Sequence, residues 1–477
     1  MLLRQIFDPQ LAQYAYLVGC PRSGEALIID PERDIDRYQK LAKENGLKIT
    51  AVAETHIHAD FVSGAQEFAS DPSIHLYLSA EGGPDWTYTW CTNRANTHLL
   101  RDGEKFKVGN IEIEAVLTPG HTPEHISFLI TDLGAGAHEP IALVTGDFLF
   151  MGDVGRPDLL ESAAGVKNVM EPSARLLQRS LSERLSRYGD YLQILPAHGA
   201  GSACGKALGA VPTTTLGYER RFNQAFKLAL GDTEEFVKDI LQGQPDPPLY
   251  FATMKRVNRD GIAVTGGIPK ALKLELPAFR ALIADRAVVM LDTRDSRRAF
   301  NESHTAHAVS APLHSPLFSN VAGSYIGEKE RYVLIVEHPE DAVTAMRMLY
   351  RIGLDGVVGW IPFDEVKAAG LCTHKIPSQS LETFQLESIG PEGVIIDVRT
   401  TAEYQSGHFS GALSLPYTRI KERLHEVPSG KTLYVHCAKG GRAAVASSFL
   451  EAKGFEVVHL DGEVAPVLSA IRSAKKA

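Results

Sequence analysis

Residues 54–64 read ETHIHADFVSG. His56, His58 and Asp60 stand at alternate positions, and Phe61 follows where another polar side chain would complete a metal-binding run. The preceding stretch, KITAVAET (48–55), has strand character. A strand end delivers a side chain to a fixed place, and the loop beyond it lets several chains converge. Three other stretches share this layout: His121 in TPGHTPEH (118–125), Asp147 in VTGDF (144–148) and His198 in LPAHGAG (195–201). Imidazole suits iron, zinc or copper, and a carboxylate offsets the charge of a dication. A single histidine at a strand end is usually a polar cap, and His75, His98, His125 and His138 are read that way. The ordered recurrence of four such stretches predicts a metal site.

A chain of 477 residues predicts about three domains at roughly 150 residues each. A net charge of -9 argues against a nucleic-acid partner or an anionic membrane surface, since phosphate binding needs concentrated positive charge. Five widely spaced cysteines (Cys20, Cys91, Cys204, Cys372, Cys437) make no disulfide framework and leave thiols free for chemistry. The N-terminus has no apolar core of a leader, and no apolar run reaches membrane-spanning length. The expected location is the cytoplasm.

In the first half, strand-like runs (YAYLVG, EALIID, KITAVAET, HLYLSA, FKVGNIEIEAVL, ISFLI, PIALVTGD, YLQILPAHG) alternate with helical spacing in DIDRYQKLAKENG (34–46) and PSARLLQRSLSERLSRYG (172–189). The Gly-Asp-Thr opening of GDTEEFVKDILQG (231–243) suits a helix start. Clustered prolines in GQPDPPLYF mark a boundary. The expected domains are 1–243, a linker at 244–270, then 271–372 and 376–477. The last two form a weak repeat: VVMLDTRDSRRAFNESHTAHAVSAPL (288–313) aligns with VIIDVRTTAEYQSGHFSGALSLPY (394–417), Asp292 and Arg294 over Asp397 and Arg399, with His304 or His307 near His408. Each copy continues with a strand, a helix and another strand, which predicts a duplicated α/β domain with a parallel sheet. CTHKIPSQSLETF (372–384) is the expected connection between them.

The first 240 or so residues resemble the metallo-β-lactamase superfamily, whose opening pattern is H-x-H-x-D-H. The resemblance implies a four-layer α-β-β-α sandwich with metal at one edge. Phe61 replaces the histidine that helps bind a second metal in the dinuclear hydrolases, so one metal site should survive and the second should be crippled. ETHIHADFVSGA, TPGHTPEH, VTGDFLFMGDVGRPDL and LPAHG together are similar to the persulfide dioxygenases. That resemblance implies one Fe(II) per chain held by His56, His121 and Asp147, a facial triad that leaves coordination positions open. His58, Asp60 and His198 then orient ligands or bound molecules, with His58 as a fourth ligand the alternative. Phe61 is read as a dry wall of the site or as a core residue. Cys204 is read either as a thiol at the substrate entrance or as a small buried residue. Tyr218, Arg220 and Arg221 are read as contacts to an anionic carrier thiol or as a solvated helix face.

In LYVHCAKGGR (433–442) an apolar strand ends at Cys437, and a glycine loop closes at Arg442 before a helix begins. Such a loop aims the N–H groups of Gly440, Gly441 and their neighbours, and a helix N-terminus, at one sulfur anion. Lys439 adds positive charge, and Arg442 can fix an anionic oxygen or brace the loop. This stretch resembles a rhodanese, which implies that Cys437 carries sulfane sulfur. The competing phosphatase or arsenate-reductase reading is disfavoured because only four residues separate Cys437 from Arg442. The first copy has no cysteine at the equivalent place and looks like an inactive rhodanese-like unit; His338 there is read as a loop residue. The whole chain resembles persulfide dioxygenase–rhodanese fusions. The resemblance implies a low-molecular-weight thiol persulfide, O2, sulfite and thiosulfate as partners, and a homo-oligomer. Two other classes remain: a glyoxalase II-type thioester hydrolase, and a non-catalytic sulfur carrier or sensor.

Overall fold

The structure is a computed structural model that describes residues 1–162, 167–386 and 389–474, so the end of the last expected domain, 475–477, lies outside the described residues. The chain divides into two compact units, residues 1–247 with 251–268, and residues 248–250 with 269–477.

The first unit holds two six-stranded sheets. One runs in chain order through β1 (Leu2–Asp8), β2 (Gln13–Cys20), β3 (Glu25–Ile29), β4 (Lys48–Ala53), β5 (His75–Ser79) and β6 (Thr97–Leu100). The other contains β7 (Lys105–Val108), β8 (Ile111–Leu117), β9 (Ile126–Asp132), β10 (Ala142–Gly146), β11 (Gln193–Pro196) and β12 (Thr214–Thr215). Side-chain alternation explains the layering. On β2, Tyr16 and Val18 join Ile113, Phe128 and Val144 between the sheets. Ala15 and Leu17 face outward against Tyr38 and Ala42 of the helix Asp36–Glu44. Val116, Leu129 and Ile194 of the second sheet pack outward on Ala174 and Leu177 of the helix Met170–Arg179, and on Phe236 and Ile240 of Thr233–Leu241. These are the four layers of the expected sandwich. The last helix starts as its sequence suggests, with the Asp232 side chain accepting from the Glu235 N–H.

Residues 244–270 were expected to be a linker, but they carry the helix Phe251–Asp260, which belongs to the first unit. The reason is polar as well as apolar. Buried Asn258 accepts from the Ser63 N–H at 2.8 Å and donates to the carbonyls of His58 (2.8 Å) and Phe61 (2.7 Å). This helix therefore clamps the loop that opens the metal motif.

The second unit has two parallel sheets. The middle one contains β13 (Val288–Asp292), β14 (Ala308–Ser310), β15 (Arg331–Val336) and β16 (Val357–Pro362), ordered β14-β13-β15-β16. The last one contains β17 (Ser378–Ser380), β18 (Gly393–Asp397), β19 (Leu413–Ser414), β20 (Thr432–His436) and β21 (Glu456–Asp461), ordered β17-β21-β20-β18-β19. Apart from the edge strand β17 the two orders are the same, which makes the sequence repeat a structural one. The Asp-Arg pairs match bond for bond. Arg294 Nε donates to Asp292 at 2.9 Å and Arg399 Nε to Asp397 at 2.9 Å; their Nη2 groups reach the carbonyls of Ser303 and Gly407. His304, not His307, is the counterpart of His408: each donates Nδ1–H to the carbonyl four residues earlier and stacks on that residue's ring, Phe300 or Tyr404. The expected connection 372–384 is part of the fold, because Ser378–Ser380 hydrogen-bonds to β21 as the edge strand.

Candidate metal centre and sulfur loop

Every group of the first site lies just past a strand end. Asp30 follows β3, His56 lies three residues beyond β4, His121 is in the β8–β9 connection, Asp147 follows β10 and His198 lies two residues beyond β11. Ligand atoms of His56, His121 and Asp147 lie within 4.8 Å of one another, all buried. His121 Nε2 is 3.5 Å from Asp147 Oδ2.

The surroundings set which ring nitrogen faces inward. His121 Nδ1–H donates to the Arg156 carbonyl at 3.0 Å, leaving Nε2 bare. Thr55 Oγ1 donates to Asp30 Oδ2 at 2.9 Å, so it must accept the Nδ1–H of His56 at 3.0 Å, and again Nε2 is bare. Gly146 allows the close approach: its φ is +53°, and a Cβ there would meet Thr55 Oγ1 at 2.5 Å. His125, read as a polar cap, is instead a buried brace. Its Nε2 accepts from the Asp147 N–H at 3.1 Å and its Nδ1 bonds Thr118 Oγ1. Burial, with other imidazoles nearby, holds His56 well below the usual histidine range, and burial, with the Arg156 charge beside it, lowers His121 to about 4, so both rings stay neutral.

His58 is turned away to Glu54 Oε2 (3.0 Å) and Asp30 Oδ1 (3.2 Å), while its Nδ1 has no hydrogen-bond partner. Burial acts to lower its pKa, but the Asp30 and Glu54 carboxylates reverse this and raise it well above the usual value. Fully buried Phe61 lies with its ring 4.4 Å from that of His58.

Asp60, His198 and Cys204 form a second cluster with ligand atoms within 4.8 Å. His198 donates Nδ1–H to the Ala12 carbonyl, so its Nε2 lone pair faces Asp60 Oδ2 at 3.3 Å and Asp147 Oδ1 at 3.4 Å. None of those three facing atoms has a hydrogen-bond partner. Three buried lone-pair atoms aimed together need a proton or a cation between them. Burial raises both Asp60 and Asp147 to about 6. The residues therefore fit a bound cation, and two imidazoles with a carboxylate suit a first-row dication such as Fe(II). Cys204 is 2% exposed, so it is a buried thiol of this cluster and not a group at an entrance; burial, then Asp147 and Asp60, raise its pKa well above normal.

A cavity of about 560 Å³ is lined by Trp86, Leu160, Lys255, Arg256 and Arg259 among others. A narrow cleft shares Trp86, Leu160 and Lys255 with it and is lined also by His121 and Phe251. Lys255 Nζ lies 3.7 Å from the Trp86 ring centroid. Lys255 and the Trp86 cavity had no signal in the sequence; they come together only through the helix at 251–260. The earlier candidates for the carrier do not reach this cleft. Arg220 is tied to Asp190 and to the carbonyls of Leu185 and Tyr188, Arg221 lies 3.7 Å from Asp190, and Tyr218 is exposed on the same helix.

At the second site, β20 ends at His436 and the helix Gly441–Ala452 starts five residues later. The Gly440 N–H donates to Cys437 Sγ at 3.1 Å. Arg442 is occupied by Glu403 through two bonds of 2.7 and 2.8 Å, so it braces the loop. Burial opposes ionisation of Glu403, but Arg442 and the Thr400 bonds prevail and lower its carboxyl to about 2. Lys439 is largely exposed, 3.9 Å from Glu463. The strand registers place Val336 where Cys437 stands in the last sheet, so the middle copy has no thiol at that position.

The metallo-β-lactamase superfamily pattern matches residues 8–198, and the rhodanese-like domain pattern matches 381–467. A crystal structure described as a metallo-β-lactamase from Staphylococcus aureus subsp. aureus COL is 36% identical, covering 76% of this chain and 98% of that one with a TM-score of 0.66. The chain belongs to the metallo-β-lactamase superfamily, with a rhodanese-like domain at its C-terminal end. Within that class its homologues include the mitochondrial persulfide dioxygenase ETHE1 of Bos taurus, 29% identical over 240 residues, which are 50% of this chain and 80% of that protein. A hydroxyacylglutathione hydrolase of Nitrosococcus oceani is 33% identical over 159 residues, 32% of this chain and 54% of its own length.

Proposed function

We propose that the first unit is a persulfide dioxygenase with one Fe(II), converting a thiol persulfide, O2 and water into the thiol and sulfite, and that Cys437 passes sulfane sulfur between persulfide, sulfite and thiosulfate. The homologues and the rhodanese-like domain together make the protein an enzyme of sulfur metabolism. The observation that supports iron and persulfide oxidation is the convergence of His56, His121 and Asp147 with both imidazole Nε2 atoms bare, beside a position where Phe61 stands in place of a ligand.

His56, His121 and Asp147 would hold the ion, which when bound supplies the redox chemistry between O2 and the terminal sulfur. Asp30 acts through Thr55 to orient His56, and the Arg156 carbonyl orients His121. Phe61 walls off the far side, limiting water. His198 Nε2 and Asp60 Oδ2 can hold a proton between them, next to Asp147. Lys255 gives the anionic end of a carrier thiol a counter-charge at the mouth of the apolar cleft. In the second reaction the thiolate of Cys437 takes the terminal sulfur of a persulfide, and sulfite then removes it as thiosulfate. The Gly440 N–H stabilises the sulfur anion.

Among the described residues, no helix is long and apolar enough to cross a membrane. All five cysteines are free, which supports placement in a reducing compartment such as the cytoplasm. The test is metal analysis of anaerobically purified protein with O2 uptake on several persulfides. Iron at about one per chain with sulfite formed is expected; a zinc pair with thioester cleavage and no O2 uptake overturns the proposal.

A further inference from the structure

The middle domain, which has Val336 where Cys437 stands, reaches the strand that backs the sulfur loop. The short helix Arg297–Glu302 follows β13 in the middle sheet. From it, Asn301 Nδ2 donates to His459 Nδ1 at 2.9 Å and to Ser378 Oγ at 2.8 Å. On the far side of the ring, His459 Nε2 lies 3.0 Å from the Gly440 carbonyl oxygen. A carbonyl only accepts, so Nε2 carries the hydrogen and Nδ1 of the neutral ring is the acceptor. This choice fixes Asn301 as well, since only its NH2 group can face that nitrogen. The Gly440 N–H in turn donates to Cys437 Sγ.

Arg297 of the same helix pairs with Asp461 at 2.9 Å. Asp461 Oδ1 occupies the space that a Cβ on Gly440 would need, and the Gly440 φ of +87° is open to glycine alone at low cost. One helix of the middle domain thus holds two residues of β21 against the loop. Asn301 and His459 are 4% and 1% exposed, so water does not stand in for either.

We propose that Asn301 is a positioning residue for sulfur transfer at Cys437: it fixes the His459 tautomer, His459 holds the Gly440 carbonyl, and Gly440, fixed on its carbonyl side, keeps the N–H on its other side on the sulfur. The middle domain is then a brace of the sulfur loop. The inference rests on the reading of Cys437 as a sulfur carrier. In the reaction concerned, the thiolate attacks the outer sulfur of thiosulfate, the S–S bond of thiosulfate breaks, sulfite leaves with the electron pair, and Cys437 keeps the sulfur as a persulfide anion. The loop must present its amides to that anion, and a loop released from His459 does so less often.

The experiment is sulfur transfer from thiosulfate to cyanide by the full-length protein. Losing one buried hydrogen bond from the chain is expected to lower kcat about tenfold in Asn301→Leu while KM for thiosulfate stays within about twofold. Asn301→Asp gives a sharper readout. A carboxylate can only accept, so both bonds of His459 survive only while the ring carries two protons. The other groups facing the ring are Ser378, Asp461 and Arg297, one neutral and the last two of opposite charge, and neither substitution alters them. Activity of Asn301→Asp should approach wild type near about pH 6 and fall about tenfold by roughly pH 8.5, a limb the wild type lacks. A flat Asn301→Asp profile at wild-type kcat overturns the brace. Ring nitrogen-15 shifts of wild-type His459 decide the matter if the variants fail to fold: a proton on Nε2 is expected, and one on Nδ1 overturns it. Absence of any thiosulfate-to-cyanide transfer by wild-type protein instead removes the reading of Cys437.

Discussion

Thr55 has one hydroxyl hydrogen, and it is committed to Asp30, so the same oxygen can only accept from His56. Thr55→Val keeps the shape and removes both bonds. The expected outcome is metal affinity lower by about 10- to 100-fold, the usual scale for an outer-sphere partner, measured by titration with Fe(II) under anaerobic conditions. Phe61 carries a second expectation. Phe61→His puts an imidazole next in the chain to Asp60, whose Oδ2, like His198 Nε2, has no hydrogen-bond partner, so the variant should take up a second metal ion per chain in metal analysis. A variant that still binds a single ion would show that Phe61 is not what limits the site. The strand-end placement of His56, His121 and Asp147 was legible in the sequence, because each follows an apolar run, but so do His58, Asp60 and His198, and the choice of the first three rested on the resemblance to the persulfide dioxygenases. The supports of that triad were not legible. Asp30 closes EALIID like any strand-ending carboxylate, His125 looks like a cap, and Asn258 lies about 200 residues from the carbonyls it clamps. Only the folded chain shows that their unspent hydrogen-bonding atoms meet.

The loop from β20 into the helix Gly441–Ala452 depends on an ion pair with a neighbouring element, the capped helix Thr401–Gln405. Glu403 ionises near 2 in the folded protein and near its ordinary 4.5 when unfolded. The folded value is depressed, so the pair's stabilisation is complete above about 4.5 and is lost as pH falls toward 2. Glu403→Gln should therefore lower the melting temperature at neutral pH, and the difference from wild type should shrink as pH drops through that window. Equal melting temperatures at pH 7 would show that the pair contributes nothing. At this scale the sequence spoke clearly where apolar periodicity was long: β3, β4, β8 and β10 fall within the runs that predicted strands, and β2 and β9 overrun theirs by two residues each. It was silent on β6, β12 and β17, which span four, two and three residues. β17 is Ser-Gln-Ser, exposed throughout, and it is a strand only because β21 offers it a free edge.

Across the whole chain the two chemistries share a molecule but no residue, and that separation is itself testable. Sulfite, the product proposed at the metal centre, is the acceptor proposed at Cys437, and one covalent chain raises the local concentration of each site's product near the other without requiring a tunnel. Cys437→Ser removes the sulfur carrier and leaves His56, His121 and Asp147 untouched, since Cys437 is not in their cluster. With a persulfide substrate and air, the variant should consume O2 at a rate close to wild type. Its sulfur product should move from thiosulfate toward sulfite, because nothing then joins a sulfane sulfur to the sulfite released. Ion chromatography of both anions beside an oxygen electrode reads the two effects separately. If oxygen uptake collapses in a folded Cys437→Ser protein, the first unit must receive its sulfur through Cys437, and the order of the two reactions is the reverse of the one argued here.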